Sequence, residues 1–250
     1  MLEVFTYSLS FSNLVFLFLC ALLIGMAKTG IHGVGMLVVP IMALLFGGKS
    51  SAGLVLPMLI MADCFAVYYY HRHANWSYLT KLFPCAALGV VLATAFGQLI
   101  DDQAFTIAMA LIVFASLALM IWSEKKKDKN IPDFYWFAAL MGSLGGFTTM
   151  VGNLAGPVMA LYFLAMRLPK NEYIGTAAWF FLIINLFKVP FHIFSWETIT
   201  FNSFALNIIT LPAIALGAFF GIYLVKRIPE RAYRWFIIGT TALAAIAMLV

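Results

Sequence analysis

The sequence predicts an all-α polytopic membrane protein, with about ten helical segments arranged as two inverted five-segment repeats. Three observations lead to this prediction. The composition is very apolar, apolar runs of membrane-spanning length recur along the chain, and a glycine-rich stretch followed by a proline occurs twice.

The composition excludes a soluble domain. Hydrophobic residues make up 64% of the 250 residues and charged residues 10%, and the mean hydropathy is +1.00. A soluble domain carries about 25% charged residues. The formal net charge of +5 does not indicate nucleic-acid binding, because most lysines and arginines fall in short loops. We therefore expect membrane lipid around the chain and no nucleic-acid partner.

Ten apolar segments recur along the chain. They cover approximately residues 9–27, 33–47, 52–71, 79–99, 104–122, 134–150, 153–167, 173–194, 202–225 and 232–250. Most have the length of about 17–25 residues that a helix needs to cross the hydrocarbon. The second and seventh are shorter, and a helix of roughly 14 residues spans about 21 Å of a hydrocarbon core near 30 Å. These two are predicted to cross only part of the membrane.

One hydrophilic linker divides the chain. The predicted domains are a first membrane repeat over 1–122, a cytoplasmic linker over 123–133 and a second membrane repeat over 134–250. Because each half has an odd number of segments, the second half enters the membrane from the opposite side. Inverted repeats of this kind are common in secondary transporters.

The basic residues predict the orientation. If the N-terminus lies outside, thirteen of the 15 lysines and arginines fall on the inner side, and Lys49 and Lys188 are the exceptions. Short cytoplasmic loops are enriched in Lys and Arg. Both termini are therefore predicted to be extracytoplasmic.

The duplicated stretch reads GMAKTGIHGVGMLVVPIMALLF from Gly25 and GSLGGFTTMVGNLAGPVMALYFL from Gly142. Each glycine weakens a helix by about 1 kcal/mol, so the stretches predict broken helices near 28–36 and 145–154. The alternative that these glycines are close-packing surfaces between helices stays open. Helix N-termini after such breaks bind oxyanions well. Asn153 is predicted to cap the helix of the seventh segment.

Polar side chains in the two stretches are donors, and none is a carboxylate. A cation site would need carboxylate oxygens, whereas amide, hydroxyl, imidazole and ammonium groups suit an oxyanion. The candidate substrate-binding residues are Lys28, Thr29, His32, Gly33, Gly35, Thr148, Thr149, Gly152 and Asn153. Lys28 is expected to supply charge, although an interfacial position for its ammonium group and a packing role for His32 stay open.

Ionisable and amide side chains also interrupt other apolar segments. Asp63, Asn185 and Lys188 are candidates for ion coupling or proton relay, because such groups within a membrane are functional candidates by default. Asp63 and Lys188 are candidates to pair with each other, and an outer-interface position for Lys188 stays open.

The three cysteines indicate no metal centre. Cys20, Cys64 and Cys85 lie within apolar runs at a spacing that matches no metal motif, so we expect three buried thiols. No catalytic residue, metal or cofactor is predicted.

The chain resembles the TauE/SafE family of membrane anion permeases, the sulfite exporters. The resemblance lies in GIHGVGMLVVP and GGFTTMVGNLAGPVMALYFL, and in the length and the number of segments. It covers essentially the whole chain. It implies transport of sulfite, an organosulfonate or a related small oxyanion or carboxylate across a bacterial inner (plasma) membrane, often outward.

The function predicted from these features is secondary transport of a small anion by alternating access around a midplane site. The chain has no G-x-x-x-x-G-K-[ST] loop for ATP. An anion channel and an ion-sensing membrane protein stay open as alternatives, as does a homodimer. An intramembrane enzyme is disfavoured, because H-E-x-x-H and G-x-S-x-G motifs are absent.

Overall fold

Helices form most of the chain. The computed structural model describes residues 2–4, 7–31, 34–105, 107–108, 111–112, 114–115, 118, 135–229, 232 and 235. The helices are α1 (Phe11–Lys28), α2 (Val38–Phe46), α3 (Gly48–Tyr70), α4 (Trp76–Leu99), α5 (Tyr135–Gly152), α6 (Ala155–Ala165), α7 (Lys170–Phe194) and α8 (Phe201–Arg227). Short 3-10 helices lie at Val34–Leu37 and His71–His73, and an antiparallel pair of strands, β1 (Leu2–Val4) and β2 (Tyr7–Leu9), precedes α1.

Five of these helices, α1, α3, α4, α7 and α8, are long and apolar enough to cross a membrane. Their outer surfaces expose large apolar side chains, as a surface in contact with lipid requires. Examples are Phe16, Leu92, Leu99, Phe201 and Phe219. The predicted all-α membrane class is therefore confirmed.

The predicted ten segments correspond to these helices where the structure describes them. Segments one to four and six to nine each contain one helix. Most of segments five (104–122) and ten (232–250) lies outside the described residues. The number of ten therefore stays a prediction.

Polar side chains fix the starts of α1 and α3. The Ser10 hydroxyl accepts a hydrogen bond from the backbone N–H of Asn13 at 3.1 Å and so caps α1. The Asp102 carboxylate accepts from the backbone N–H groups of Gly48 and Lys49 at 2.8 and 2.7 Å. This second contact caps α3 and ties its start to the short stretch of chain just after α4.

Both predicted helix breaks exist, with one correction. Helix α1 ends at Lys28, and α2 begins at Val38 directly after the 3-10 helix at Val34–Leu37, which puts the first interruption close to the predicted 28–36. The second occupies only Asn153 and Leu154, because α5 continues to Gly152. The prediction of a break from 145 onward was wrong, because the glycines of α5 serve close packing between helices.

Close backbone contact joins α1 to α8. A Cβ atom added to Gly25 would lie less than 3.0 Å from the carbonyl oxygen of Ile214, and one added to Gly217 would approach that of Leu22 equally closely. Real Cβ atoms essentially never come so near. The two backbones therefore touch where a larger residue would hold them apart.

The same arrangement joins α5 to α4. A Cβ atom on Gly146 would lie less than 3.0 Å from the carbonyl oxygen of Ala86, and one on Gly89 would lie as close to that of Ser143. In both helix pairs, each helix contributes a glycine that meets a carbonyl oxygen of its partner. The contacts also match in spacing. On each of the four helices, the glycine stands three residues after the residue whose carbonyl oxygen the partner glycine meets.

Helices α3 and α7 pack against each other; α3 also contacts both glycine-joined pairs, and α7 contacts the α4–α5 pair. One buried apolar cluster centres on α4 to α7, and a second joins α1, α2, α3 and α8. The polar side chains described below lie between α1, α3, α5 and α7.

The cysteine expectation holds for Cys20 and fails for Cys64. Cys20 is buried in the second apolar cluster, Cys85 is partly buried, and Cys64 is exposed. Successive residues of a helix point about 100° apart. Because Asp63 points into the protein, its neighbour Cys64 is turned towards the outer surface.

Gly146→Ala should lower the free energy of unfolding by about 1–3 kcal/mol, because the methyl group would force the backbones of α5 and α4 apart. Gly156→Ala is the matched control, since nothing lies within 4 Å of a Cβ atom there. Equilibrium denaturation in mixed micelles measures both. Equal stability of the two variants would contradict the packing role of Gly146.

Candidate functional site

A polar stripe runs along the buried face of α7. Phe181, Asn185, Lys188 and His192 are spaced by four, three and four residues, so they share one face of the helix. Asn185, Lys188 and His192 are all buried. This face meets α3 and the break between α5 and α6.

Lys188 is held entirely by neutral oxygen atoms. Its ammonium group donates to Thr149 Oγ1 at 3.1 Å, Asn153 Oδ1 at 2.7 Å and Asn185 Oδ1 at 3.1 Å. These three bonds use all three of its donors. The side chain has 0% exposure, so the alternative that Lys188 reaches the outer interface is wrong.

Lys28 forms an ion pair with Asp63, with 3.0 Å between Nζ and Oδ1. Asn185 Nδ2 donates to the other carboxylate oxygen of Asp63 at 2.7 Å. Lys28 also lies 4.0 Å from the ring centre of Phe181, a favourable cation–π position. The sequence had made Asp63 and Lys188 candidates to pair with each other. They do not bond directly, and the Asn185 amide connects them.

This network has a net positive charge when its members are ionised. It contains two ammonium groups, on Lys28 and Lys188, and one carboxylate, on Asp63. A buried charge without a counter-ion is strongly unfavourable. A bound anion would neutralise the remaining positive charge.

A small cavity opens beside the network. Its volume is about 70 Å³, enough for several waters or a small ion. It is lined by Ile24, Ala27, Lys28, Gly35, Leu59, Thr149, Asn153, Gly156, Phe181 and Asn185. Of these described residues none carries a carboxylate. Asp63 and Lys188 lie behind this lining, in contact with Asn185.

Asn153 occupies the break between α5 and α6 in the left-handed region, with φ of 60°. Asparagine tolerates this conformation better than most residues. Its Nδ2 donates to the carbonyl oxygen of Ala52 at 3.1 Å, and its Oδ1 accepts from Lys188. The prediction that Asn153 caps α6 was wrong, because Leu154 is the N-cap residue and no side chain caps it.

The 3-10 turn that leads into α2 and the first turn of α6 each place one glycine in the lining of the cavity. Gly35 lies in the 3-10 turn before α2, and Gly156 in the first turn of α6. The first N–H groups of a helix have no partner within the helix. Pro40 and Pro157 each stand third in their helices, where a missing N–H is tolerated.

The structure brings together some of the candidate residues. Lys28, Gly35, Thr149 and Asn153 line the cavity, as does Asn185. Three others do not line it. They are Thr29, Thr148 and Gly152. The Thr29 hydroxyl instead donates to the carbonyl oxygens of Gly25 and Ala218, at 2.9 and 3.1 Å. His32 and Gly33 lie outside the described residues.

The site predicted from the sequence omitted Phe181 and Gly156. Phe181 stands four residues before Asn185, and this helical spacing could have indicated it. Gly156 precedes Pro157 in the duplicated stretch, where it looks like a helix-weakening residue. Only the structure shows that a Cβ atom there would enter open space.

The model of the family described as sulfite exporter TauE/SafE matches residues 17–248. The chain belongs to the TauE/SafE family. Membership confirms the resemblance noted in the sequence. This TauE/SafE protein is a multi-pass membrane transporter of sulfur-containing anions, and it is not an enzyme. A search of curated proteins found no match.

Lys28→Met should lower the free energy of unfolding by about 3–5 kcal/mol, because it leaves the buried Asp63 carboxylate without a cation. Adding Asp63→Asn to this variant should recover most of the lost free energy of unfolding, since the amide carries no charge. Equilibrium denaturation of both variants in micelles measures the effect.

Lys226→Met is the control for loss of a lysine. Lys226 is exposed and lies over the ring of Tyr69, so its loss should cost about 1 kcal/mol or less. If the single and double Lys28 variants are equally unstable, the ion pair with Asp63 does not explain the stability of this region.

Proposed function

We propose that the protein is a secondary transporter that exports a small sulfur oxyanion, such as sulfite or an organosulfonate, by alternating access around the cavity at Lys28. The substrate-binding residues are Lys28, Gly35, Thr149 and Asn153. Asp63, Asn185 and Lys188 form a second layer that sets the charge of the site.

The observation that carries this proposal is the lining of the cavity. It combines an ammonium group with hydroxyl and amide groups, and Thr149 keeps its hydroxyl hydrogen for a ligand because its oxygen accepts from Lys188. A cation would meet positive charge and no lining carboxylate among the described residues. An oxyanion would meet donors on several sides.

The two interrupted helices support the same conclusion. Gly35, in the 3-10 turn that leads into α2, and Gly156, in the first turn of α6, both line the cavity. The partial positive charge at a helix N-terminus favours an oxyanion. Discontinuous helices that meet near the centre of the membrane are the usual binding elements of secondary transporters.

We propose two repeats, 1–122 and 134–250, joined by a linker over 123–133, and the matched packing of their helices supports the pairing of the two halves. The contact of α1 with α8 and that of α5 with α4 use the same arrangement of glycines. Exchanging the two repeats would convert one contact into the other. We infer that the repeats are inverted and that their relative movement exposes the cavity to alternate sides.

We place the protein in the bacterial inner membrane with both termini extracytoplasmic, on the distribution of Lys and Arg. A homodimer fits the extensive apolar outer surface of the described helices, as does lipid alone. The direction of transport is taken from the family, whose description names an exporter.

Purified protein in liposomes should transport radiolabelled sulfite with saturation and counterflow, which distinguish a carrier from a channel. Lys28→Gln should lower sulfite flux at least about tenfold, because it removes the cation of the cavity, worth about 1.4 kcal/mol or more of binding. Asn153→Ala should lower it as well, because Lys188 would lose an acceptor.

Arg72→Gln is the control, since Arg72 is an exposed cation in the 3-10 helix after α3. Its sulfite flux should equal that of the wild type. Normal flux in both Lys28→Gln and Asn153→Ala would refute the assignment of the site. Absence of sulfite flux in the wild type would refute the substrate.

A peptide tag at either terminus should react with a membrane-impermeant reagent added to intact spheroplasts, because both termini are expected to be extracytoplasmic. A tag inserted at residues 123–133 should react only after the membrane is opened. The reverse labelling pattern would contradict the proposed orientation.

A further inference from the structure

One carboxylate sets the charge next to the cavity. Lys28 and Lys188 bring two positive charges, and Asp63 is the one acid among the described residues that contact this network. With Asp63 ionised the network carries one net positive charge, and with Asp63 protonated it carries two. The inference drawn from this rests on the proposed function and names the charge state of the anion.

The two oxygen atoms of Asp63 have different partners. Oδ2 accepts from Asn185 Nδ2 at 2.7 Å, and Asn185 is itself fixed by accepting from Lys188. Oδ1 faces the ammonium group of Lys28 at 3.0 Å. A change at Lys28 therefore affects Oδ1 and leaves the bond at Oδ2 in place.

Lys28 is shared between Asp63 and the cavity. It is the last residue of α1, it lines the cavity, and its side chain keeps 13% exposure while that of Asp63 has 0%. An anion in the cavity competes with Asp63 for this ammonium group. A buried carboxylate that loses its cation is strongly destabilised, and uptake of a proton removes that charge.

We propose that Asp63 takes up one proton at Oδ1 when a divalent oxyanion binds Lys28, and stays ionised when a monovalent oxyanion binds. Charges then balance in both cases: two ammonium groups oppose a dianion, or they oppose a monoanion together with the Asp63 carboxylate. The proton enters from the water on the side from which the dianion comes, and both leave on the other side. A dianion is thus carried with one proton and a monoanion without one.

The neighbours of Asp63 leave one rival group. Of the helices that pack on α3, α1 contributes Lys28, and α7 beyond its first turn contributes Lys188 and His192. Helices α2 and α5 contain no charged residue. The charged residues of α8 are its last two, Lys226 and Arg227. His192 lies one turn from Lys188. Its Nδ1 shares a hydrogen bond of 2.8 Å with Thr198 Oγ1 in the loop before α8, while its Nε2 has no hydrogen-bond partner among the described residues and is the position where a proton could bind.

Calorimetric titration of the purified full-length protein tests the proposal with two probes of fixed charge, sulfate and methanesulfonate. Sulfate is a dianion and methanesulfonate a monoanion on both sides of neutral pH. Sulfate affinity should rise as the pH falls, by up to about tenfold per pH unit, because one proton binds with each dianion. Methanesulfonate affinity should not change with pH.

Asp63→Asn should bind sulfate with an affinity that is independent of pH, since the amide introduced at this position is permanently neutral. Binding of methanesulfonate by Asp63→Asn shows that the variant is folded. His192→Gln should keep the pH dependence of the wild type. Glu197→Gln, at an exposed carboxylate in the loop before α8, is the matched control and should also keep it.

The proposal is overturned if the sulfate affinity of the wild type does not depend on pH, or if neither the wild type nor Asp63→Asn binds sulfate. It is also overturned if Asp63→Asn keeps the pH dependence of sulfate affinity, or if this variant binds neither sulfate nor methanesulfonate. A third contrary result is the loss of that pH dependence in His192→Gln. These results concern binding and proton uptake. They are separate from sulfite flux in liposomes, whose absence would refute the substrate of the proposed function instead.

Discussion

The burial of two ammonium groups beside one carboxylate is the constraint on which the rest of this structure depends. Lys28 and Lys188 cannot be solvated by lipid, so the protein must surround each of them with acceptors. Lys188 receives three neutral oxygen atoms, and Lys28 receives Asp63 and the face of Phe181. These acceptors come from α3, α5, α7 and the break after α5, which fixes how the four meet.

The breaks in the helices serve this same requirement. At the second break, Asn153 adopts a left-handed conformation that turns its amide away from the start of α6 and towards Lys188 and Ala52. The first turn of α6 is thus left without a side-chain cap, and its N–H groups lie beside the cavity at Gly156. An uncapped helix start leaves N–H groups without partners, and an anion bound there can accept hydrogen bonds from them in place of a capping side chain.

Glycine contacts allow the long helices to approach closely enough to hold this arrangement. Gly25 and Gly217 join α1 to α8, while Gly146 and Gly89 join α5 to α4. Apolar side chains give little drive for association between helices in lipid, so close packing of backbones is an important source of stability there. The α1–α8 and α4–α5 pairs flank α3 and α7, which carry Asp63, Asn185 and Lys188.

The sequence by itself determined the class of the protein, because composition and the length of apolar runs do not depend on how helices pack. It also indicated both breaks and singled out Lys28, Thr149 and Asn153, which line one cavity in the structure. It could not assign Asn153 to Lys188 or pair Lys28 with Asp63, since each contact joins residues 35 positions apart in different elements of the fold. Tertiary structure alone decided them: each buried polar group takes the nearest available partner, and which partner is near depends on how the helices pack.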